Sequence, residues 1–394
     1  MLHDFLRDCV INYMDNDLAD IRKAAAHASS EIIRRDPVLY QTSKQALEVV
    51  DTVLTRLLAT SISDPDPSIR ELVLRELSKD FDGHIVQSRN LKALFYAMND
   101  ESFGVREQAT RHVGRLAERN PAYIIPQLRK TIIHLLTELE FATVSRTKEE
   151  SAKLLGVLIR SSQRFVRAYV EPIMKALIMK ATDPSPGVAS SIITAIGYLA
   201  EVGCESLSGY TDRLMPILLE SLNDQGSLNK REAALVCLGQ LCSNTGFVIE
   251  PYVKYPSFMP TLVRIMKAEQ VTSLRIETLK LIGIIGAVDP LRMIRHDDTE
   301  DTLDDADNAQ MNISPSSDEY LPSVAIGALV KILKDPSLST YHTPAIQAFM
   351  YIFKVSVLCV KSNFIDVGNA MRSISTSNYS YVHWRNAFSP CSYA

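Results

Sequence analysis

The 394-residue sequence has few aromatic residues and few glycines. Aromatics make up 7% of the chain and include a single tryptophan, and there are 15 glycines, while hydrophobic residues reach 46%. This composition favours a helical protein over a turn-rich β-sandwich. Neither sign of charge dominates: 42 basic residues against 46 acidic ones leave a net charge of −4. A protein with so little positive charge has no basic field to attract nucleic acid.

Long hydrophobic runs and paired cysteines are also missing. No uncharged apolar run reaches the ~18 residues that a membrane-spanning helix needs. The beginning of the chain, residues 1–4, lacks the basic and apolar regions of a signal peptide. The six cysteines are scattered, and the closest two, Cys237 and Cys242, do not form a Cys-x-x-Cys motif. We therefore expect a soluble protein of a reducing compartment, with the cytoplasm as its location.

The motifs of common enzymes are absent as well. The sequence has no phosphate-binding Gly-x-x-x-x-Gly-Lys-Ser/Thr loop, no zinc-binding His-Glu-x-x-His helix and no Gly-x-Ser-x-Gly nucleophile turn. The two closest histidines, His112 and His134, are 22 residues apart, so no helix carries an i,i+4 metal pair. We expect His134 at the edge of a core stripe. The sequence predicts no catalytic, cofactor-binding or metal-binding residue.

A ladder of glycines sets the internal repeat. Five glycines lie inside apolar helical patterns at intervals of 42, 41, 42 and 44 residues: Gly114, Gly156, Gly197, Gly239 and Gly283. Glycine inside a helix costs about 1 kcal/mol relative to alanine, so we expect close helix packing to compensate. Helical repeats of about forty residues are typical of HEAT and armadillo arrays. The predicted fold is an all-α solenoid of about seven or eight helix pairs.

Two further sets of residues recur at corresponding positions of successive repeats, and we call each set a column. Acidic turns precede the second helix of a repeat, as in Asp64-Pro-Asp-Pro67, and a basic residue usually follows six or seven positions later. The turn aspartates are Asp64, Asp100, Asp183 and Asp224, and the main arginines of the second column are Arg70, Arg106, Arg231 and Arg275. Aspartate and proline favour such turns and helix starts. We expect the arginines to pair with the turn aspartates between repeats; a basic strip for an acidic partner is the alternative interpretation.

The repeat pattern divides the chain into four parts. Residues 1–291 form the main array, and residues 320–360 continue it with further helices. The first helices of successive pairs are predicted at about 43–59, 87–98, 122–139, 166–181, 207–222, 256–268 and 321–334. Residues 292–319 hold seven acids between Asp297 and Asp307 and little apolar content, so we expect a disordered insertion. Residues 361–394 are serine-rich, and we expect them to be a divergent, disordered tail.

The acidic insertion contains possible modification sites but no metal site. Ser314, Ser316 and Ser317 lie in a segment that we expect to be accessible to a kinase. The acidic run from Asp297 to Asp305 lacks the glycine and the terminal glutamate of a calcium loop. A solvated acidic linker is therefore the preferred interpretation.

Several stretches resemble one family, the HEAT-repeat region of the target-of-rapamycin (TOR) kinases. The most specific is the linker from Ser243 to Pro256, which ends in Glu-Pro-Tyr-Val-Lys-Tyr-Pro. The others lie at residues 62–67, 90–95, 128–130 with 136–140, 169–177 and 285–290. Their order and spacing resemble that family over about residues 1–360.

The resemblance implies a segment without catalytic residues. In the family, the ATP-binding and catalytic motifs of the serine/threonine kinase lie far downstream of this region, and none occurs in these 394 residues. In the family, this region helps to build the solenoid that supports dimer formation with a second TOR protomer and recruits Raptor-type or Rictor-type subunits, and the resemblance implies the same partners for this chain. The resemblance also implies peripheral association with endomembranes such as the lysosome or vacuole surface, or a nuclear location. No cofactor is expected.

Two alternatives to a TOR scaffold stay open. One is a free-standing HEAT-repeat adaptor of the nuclear-transport receptor or phosphatase-scaffold type, and the other is an enzyme with an unrecognised site. Helical pattern and family resemblance both stop near Lys361. We therefore expect residues 361–394 to come from a truncated or mis-spliced gene model.

Overall fold

The computed structural model describes residues 2–245, 251, 254–285 and 320–355, and these ranges contain α-helices and short 3₁₀ turns but no β-strand. They divide into two compact units, residues 1–203 and 204–394. The predicted insertion and tail, together with Ser314, Ser316 and Ser317, lie outside the described residues.

The first unit consists of helices joined by short turns. Its α-helices are α1 (Leu2–Asp8), α2 (Ala19–Arg35), α3 (Lys44–Ser63), α4 (Pro67–Glu76), α5 (Asp82–Ile85), α6 (Ser88–Ala97), α7 (Phe103–Leu116), α8 (Pro121–Phe141), α9 (Ser145–Ser161), α10 (Gln163–Val166), α11 (Val170–Lys180) and α12 (Pro186–Gly203). The pairs α3/α4, α6/α7, α8/α9 and α11/α12 each pack together, and α2, α4, α7, α9 and α12 pack one on the next in that order.

The second unit repeats this arrangement. Its α-helices are α13 (Thr211–Asn223), α14 (Leu228–Thr245), α15 (Phe258–Ala268), α16 (Thr272–Ile285), α17 (Tyr320–Lys334) and α18 (His342–Val355). The pairs are α13/α14, α15/α16 and α17/α18, and the second helices α14, α16 and α18 pack in succession. Helix pairs that stack on their sequence neighbours are the basis of an α-solenoid, so the predicted fold class is confirmed.

The core follows the helical stripes of the sequence. On α8 the side chains of Leu128, Ile132, Leu135 and Leu139 are buried, at the three- and four-residue spacing of one helix face. His134 lies off this stripe with its side chain 63% exposed, so its predicted place at the edge of the core is wrong. This apolar stripe of α8 is buried because neighbouring helices cover it.

The acidic turns start the second helices as the sequence predicts. Asp64, Asp100, Asp183 and Asp224 each accept the backbone N–H two residues further on, at 2.9, 2.8, 2.9 and 3.0 Å. Such a turn satisfies a backbone donor that would otherwise be left open at the helix start. Asp66 adds a cap to α4 by accepting the Ser68 N–H at 2.8 Å, and Pro67 occupies the first turn.

Two predicted helices are shorter than expected. The segment predicted at 166–181 divides into α10, a 3₁₀ turn at Arg167–Tyr169 and α11. The segment predicted at 207–222 begins with a 3₁₀ helix, Cys204–Tyr210, and the α-helix starts only at Thr211. Apolar spacing alone does not separate α-helix from 3₁₀ helix at a helix start, because both place side chains three residues apart on one side.

Candidate functional site

The arginine and aspartate columns form a ladder, and Arg70 shows how one cation can contact two successive turns. Arg70 donates from Nη1 to the carbonyl oxygen of Asp64, in the turn that starts its own helix, at 2.8 Å. Its Nε and Nη2 donate to the carboxylate of Asp100, in the following turn, at 2.9 and 2.8 Å. The pairing between repeats is therefore confirmed for Arg70, with the partner one repeat further on than the aspartate that precedes it.

The contact of Arg22 has the same geometry as that of Arg70. Arg22 binds the Asp64 carboxylate through Nε and Nη2 at 2.9 and 3.1 Å, and its Nη1 reaches the carbonyl oxygens of Asn16 and Asp17. Lys148 continues the ladder with a single contact to Asp183 at 3.4 Å. Bidentate arginine–carboxylate contacts are stronger and more directional than a lysine contact.

Three predicted arginines find other partners. Arg106 binds the carbonyl oxygen of Asp100 at 2.7 Å but pairs with Glu150 on α9 at 2.5 Å, because the next turn has Ala142 at the aspartate position. Arg231 pairs with Glu269, which takes the place of an aspartate in the following turn. Arg275 lies over the ring of Tyr341, 4.3 Å from its centroid, in a cation–π contact. The expectation that all four arginines pair with turn aspartates is therefore wrong for these three.

The cation column is interrupted in α12, where Ala189 occupies the position. Downstream, Asp224 accepts Lys230 of its own repeat at 3.1 Å. The hydrogen bond from Lys230, with that from the Gly226 N–H, holds the pKa of Asp224 below its usual range. On α9, burial alone raises the pKa of Glu150, but the hydrogen bonds and charges of Arg146 and Arg106 outweigh burial and lower it. These carboxylates are ionised structural partners.

The glycine ladder provides close packing at two of its positions. A Cβ at Gly283 would lie 2.6 Å from the Cα of Ala348 on α18, and one at Gly114 would lie 2.7 Å from the Cβ of Ser161. At Gly156 and Gly239 the nearest atoms, from Tyr198 and Ile284, would be at 3.4 Å, which is ordinary contact. The prediction that close helix packing requires a glycine is therefore wrong at Gly156 and Gly239. Gly197 is buried in α12.

A polar cluster that the sequence did not indicate holds the C-terminal end of α4. His112 Nε2 donates to the carbonyl oxygen of Leu74 at 2.6 Å, and Arg115 Nη2 reaches the carbonyls of Leu77 and Ser78 at 3.4 and 3.5 Å. Arg115 also binds the buried carboxylate of Asp82, with Nη2 2.6 Å from Oδ1. Side chains of the next repeat thus supply further donors to carbonyl groups at the end of α4 and just beyond it.

Burial keeps His112 neutral. Its side chain is almost wholly enclosed, and this burial, with the charge of nearby Arg115, lowers its pKa to about 4. With Nε2 donating to Leu74, Nδ1 is left as a buried acceptor that has no hydrogen-bond partner. The residue acts as a hydrogen-bond donor to the backbone and has no geometry for proton transfer.

The remaining reactive side chains do not form a catalytic constellation within the described residues. Ser151 Oγ donates to Glu138 at 2.5 Å, and His134 Nε2 lies 3.4 Å from the other oxygen of Glu138. Because glutamate separates histidine from serine, the histidine cannot take the hydroxyl proton as it does in a triad. Burial raises the pKa of Cys237 to about 12 and that of Cys242 higher still, so neither thiol is activated.

The described ranges contain no cluster of three histidine, cysteine or acidic side chains suited to a metal ion. Among their helices, none is both long and apolar enough to cross a bilayer. What the described surface offers is exposed apolar side chains on the first helices of the pairs, including Tyr96, Ile133, Phe141 and Met179. Exposed apolar side chains of this size are suited to protein contacts.

Family models match two overlapping parts of the chain. Residues 248–378 match a model described as "Serine/threonine-protein kinase mTOR domain", and residues 107–290 match one described as "Importin subunit beta-1-like, TPR repeats". The first match covers α15 to α18, and the second covers helices of both units.

Curated relatives match nearly the whole chain. The serine/threonine-protein kinase TOR2 of Saccharomyces cerevisiae is 40% identical over 93% of the chain, and tor1 of Schizosaccharomyces pombe is 41% identical over 89%. The TOR kinase of Arabidopsis thaliana is 34% identical over 90%. The chain spans about 15% of the length of these relatives.

Solved structures share the fold at low sequence identity. The Kap95:Nup1 complex contains a chain that matches 95% of this one with a TM-score of 0.65 and 14% identity, and 44% of that chain is covered. Kap121p matches 94% of the chain with a TM-score of 0.63 and 15% identity, over 34% of its own length. Identities this low establish a common α-solenoid fold and nothing about partners.

Proposed function

Since the chain belongs to the target-of-rapamycin (TOR) family of serine/threonine-protein kinases, within its HEAT-repeat region, we propose that it is a non-catalytic scaffold segment that assembles signalling complexes. It binds proteins along the exposed faces of its helix pairs and positions a partner subunit. In a protein that joins this segment to a kinase domain, ATP-dependent phosphorylation takes place outside these 394 residues.

The observation that carries this proposal is the identity of 40% across 93% of the chain to a TOR kinase. The match extends over both units, so it covers the ladder and the exposed apolar side chains alike. The partners that this proposal implies are a Raptor-type or Rictor-type subunit and a second TOR protomer. The proposed location is the cytoplasm, including endomembrane surfaces.

Co-purification tests the proposal. The 394-residue chain is co-expressed with the Raptor-type or the Rictor-type subunit of the same organism, and an equally long fragment of a karyopherin serves as the matched control. We expect at least one of the two subunits to co-purify with the chain and not with the karyopherin fragment. Binding to neither subunit, or equal binding to both solenoids, would contradict the proposal.

A second candidate is a free-standing adaptor of the nuclear-transport type. It is favoured by the match of residues 107–290 to an importin model and by the karyopherin-like fold. Specific binding of a nuclear-transport cargo, with no binding of either TOR subunit, would support this candidate over the scaffold.

A further inference from the structure

An apolar groove lies between α8 and α11 in the first unit. Its volume is about 190 Å³. The lining residues are Arg129, Ile132, Ile133, Leu136, Tyr169, Pro172 and Ile173. On α8, Arg129 lies three and four residues before the adjacent Ile132 and Ile133, and Leu136 lies four and three residues after them, so the four residues form one stripe along the helix. The groove is therefore elongated in the direction of α8.

The size and surface of the groove suit side chains rather than a small molecule. Ligand pockets usually have volumes of ~300–1,000 Å³, well above the space available. Ile132 and Ile173 are buried and form the floor, whereas Ile133 is 66% exposed at the rim. An apolar groove of this kind accommodates the apolar side chains of a helix.

The charged residue that lines the groove is Arg129. Two further cations lie near lining residues in the chain: Lys130 follows Arg129 on α8, and Arg167 lies in the same 3₁₀ turn as Tyr169. All three are exposed, and none forms an ion pair with a carboxylate of the described residues. The neighbouring acid Glu171 is already paired with Lys175 at 2.7 Å. The charged residue that lines the groove is therefore an unpaired cation, and it complements an acidic partner.

This charge distribution disfavours a second copy of the chain as the occupant. In a two-fold symmetric dimer the same surface faces itself, so Arg129 and Lys130 of both copies would approach each other. Like charges brought together in this way oppose association. A partner of opposite charge has no such cost.

We propose that the groove between α8 and α11 binds an acidic amphipathic helix of a partner protein. Its apolar side chains lie against Ile132, Ile133 and Ile173, and its carboxylates lie beside Arg129 and Lys130. This inference rests on the proposed scaffold function and specifies one of the surfaces that perform it.

A designed peptide pair tests the groove. The probe is a fluorescein-labelled helical peptide of 18 residues with leucines at positions i, i+3, i+4 and i+7 and glutamates on both flanks, and its partner has lysines in place of the glutamates. Fluorescence anisotropy with the full chain should show binding of the glutamate peptide at least about fivefold tighter than that of the lysine peptide. Equal affinities would overturn the charge argument.

Substitutions locate the binding site. Ile133→Glu should weaken the glutamate peptide at least about tenfold, because it places a charge on the apolar rim. Arg129→Glu should remove the preference for glutamate over lysine. The matched control is Tyr40→Glu, at an equally exposed position outside the groove, which should change the affinity less than about twofold. Because these side chains are exposed, thermal unfolding should be unchanged, and this separates lost binding from lost folding.

Other outcomes refute the inference. If Ile133→Glu binds the peptide as the wild type does, the groove is not the site. If the wild-type chain sediments as a dimer that Ile133→Glu converts to a monomer, the occupant is a second copy.

The two proposals can fail independently. A chain that binds a TOR subunit but no glutamate peptide refutes the groove and leaves the scaffold function standing. A chain that binds the peptide through the groove but neither subunit supports the groove and refutes the proposed partners.

Discussion

Arg70 and Asp100 are joined by two parallel hydrogen bonds, 2.9 and 2.8 Å long, between adjacent repeats. Their side chains are only 6% and 10% exposed, so little water can reach either charged group if the contact is broken. The same guanidinium also holds the carbonyl oxygen of Asp64. One side chain therefore connects two successive turns.

Arg70→Met should lower the free energy of unfolding by about 3 kcal/mol, because it leaves the buried Asp100 carboxylate without its cation. Urea unfolding followed by circular dichroism measures the change. The control is Arg75→Met on the same helix, where the side chain is 59% exposed and lies 3.9 Å from Glu71. There we expect less than about 0.5 kcal/mol. Equal losses at both positions would argue against a special role for the ladder.

The same substitution should have opposite effects at two glycines. Gly283→Ala should destabilise by about 1–3 kcal/mol, because the new methyl group would lie 2.6 Å from the Cα of Ala348. Gly239→Ala should stabilise by up to about 1 kcal/mol, since the methyl group makes ordinary contact with Ile284 and alanine favours the helix. Melting temperatures measured in one buffer test the pair. Destabilisation of similar size at both sites would contradict the geometry.

Stability should fall between about pH 6.5 and pH 4 because of His112. Its pKa is about 4 in the folded protein and 6.5 when unfolded, so the unfolded chain takes up the proton first as the pH falls. His112 therefore contributes no penalty above about pH 6.5, and the loss is complete near pH 4.

Unfolding free energies at several pH values measure this effect. His112→Gln keeps a donor for the Leu74 carbonyl and should flatten the pH dependence in that window. The same substitution at exposed His134 serves as the control and should leave the dependence as it is in the wild type. An unchanged slope in His112→Gln would show that His112 is not its source.

The two roles of Asp183 can be separated. Its carboxylate accepts the Ser185 N–H at 2.9 Å and pairs with Lys148 at 3.4 Å. Asp183→Asn keeps the turn hydrogen bond and should cost less than about 1 kcal/mol, whereas Asp183→Ala loses both contacts and should cost about 1 kcal/mol more. Thermal unfolding compares them. If both variants melt together, the turn hydrogen bond contributes nothing measurable.

Sequence periodicity was sufficient to predict the helix pairs and the acidic turns. A turn aspartate such as Asp100 accepts the backbone N–H of Ser102, two residues away, so this hydrogen bond can be predicted from the local sequence. Its cation comes from Arg70, 30 residues upstream, and that pairing depends on how repeats stack. The columns therefore indicated which residues take part but not which carboxylate each arginine binds.

The glycines show the same limit. Gly239 and Gly283 occupy equivalent positions in the sequence, yet only Gly283 faces the backbone of another helix at close range. The difference lies in the facing residues Ile284 and Ala348, which no pattern around the glycines encodes. His112 was missed because its acceptor is a backbone carbonyl group, which every residue has and no sequence signal marks. Arg115 was missed because its carboxylate partner, Asp82, is 33 residues away and outside the repeating columns.

The end of α4 depends on residues made later in synthesis. The side chains that satisfy the carbonyls of Leu74 and Leu77 are both 38 positions further along the chain. On the ribosome, therefore, α4 emerges before these side-chain donors, and water must take their place until α7 has been made. Any fragment that ends before α7 should carry an α4 that frays at this end, which is a reason to place boundaries for expression after Leu116.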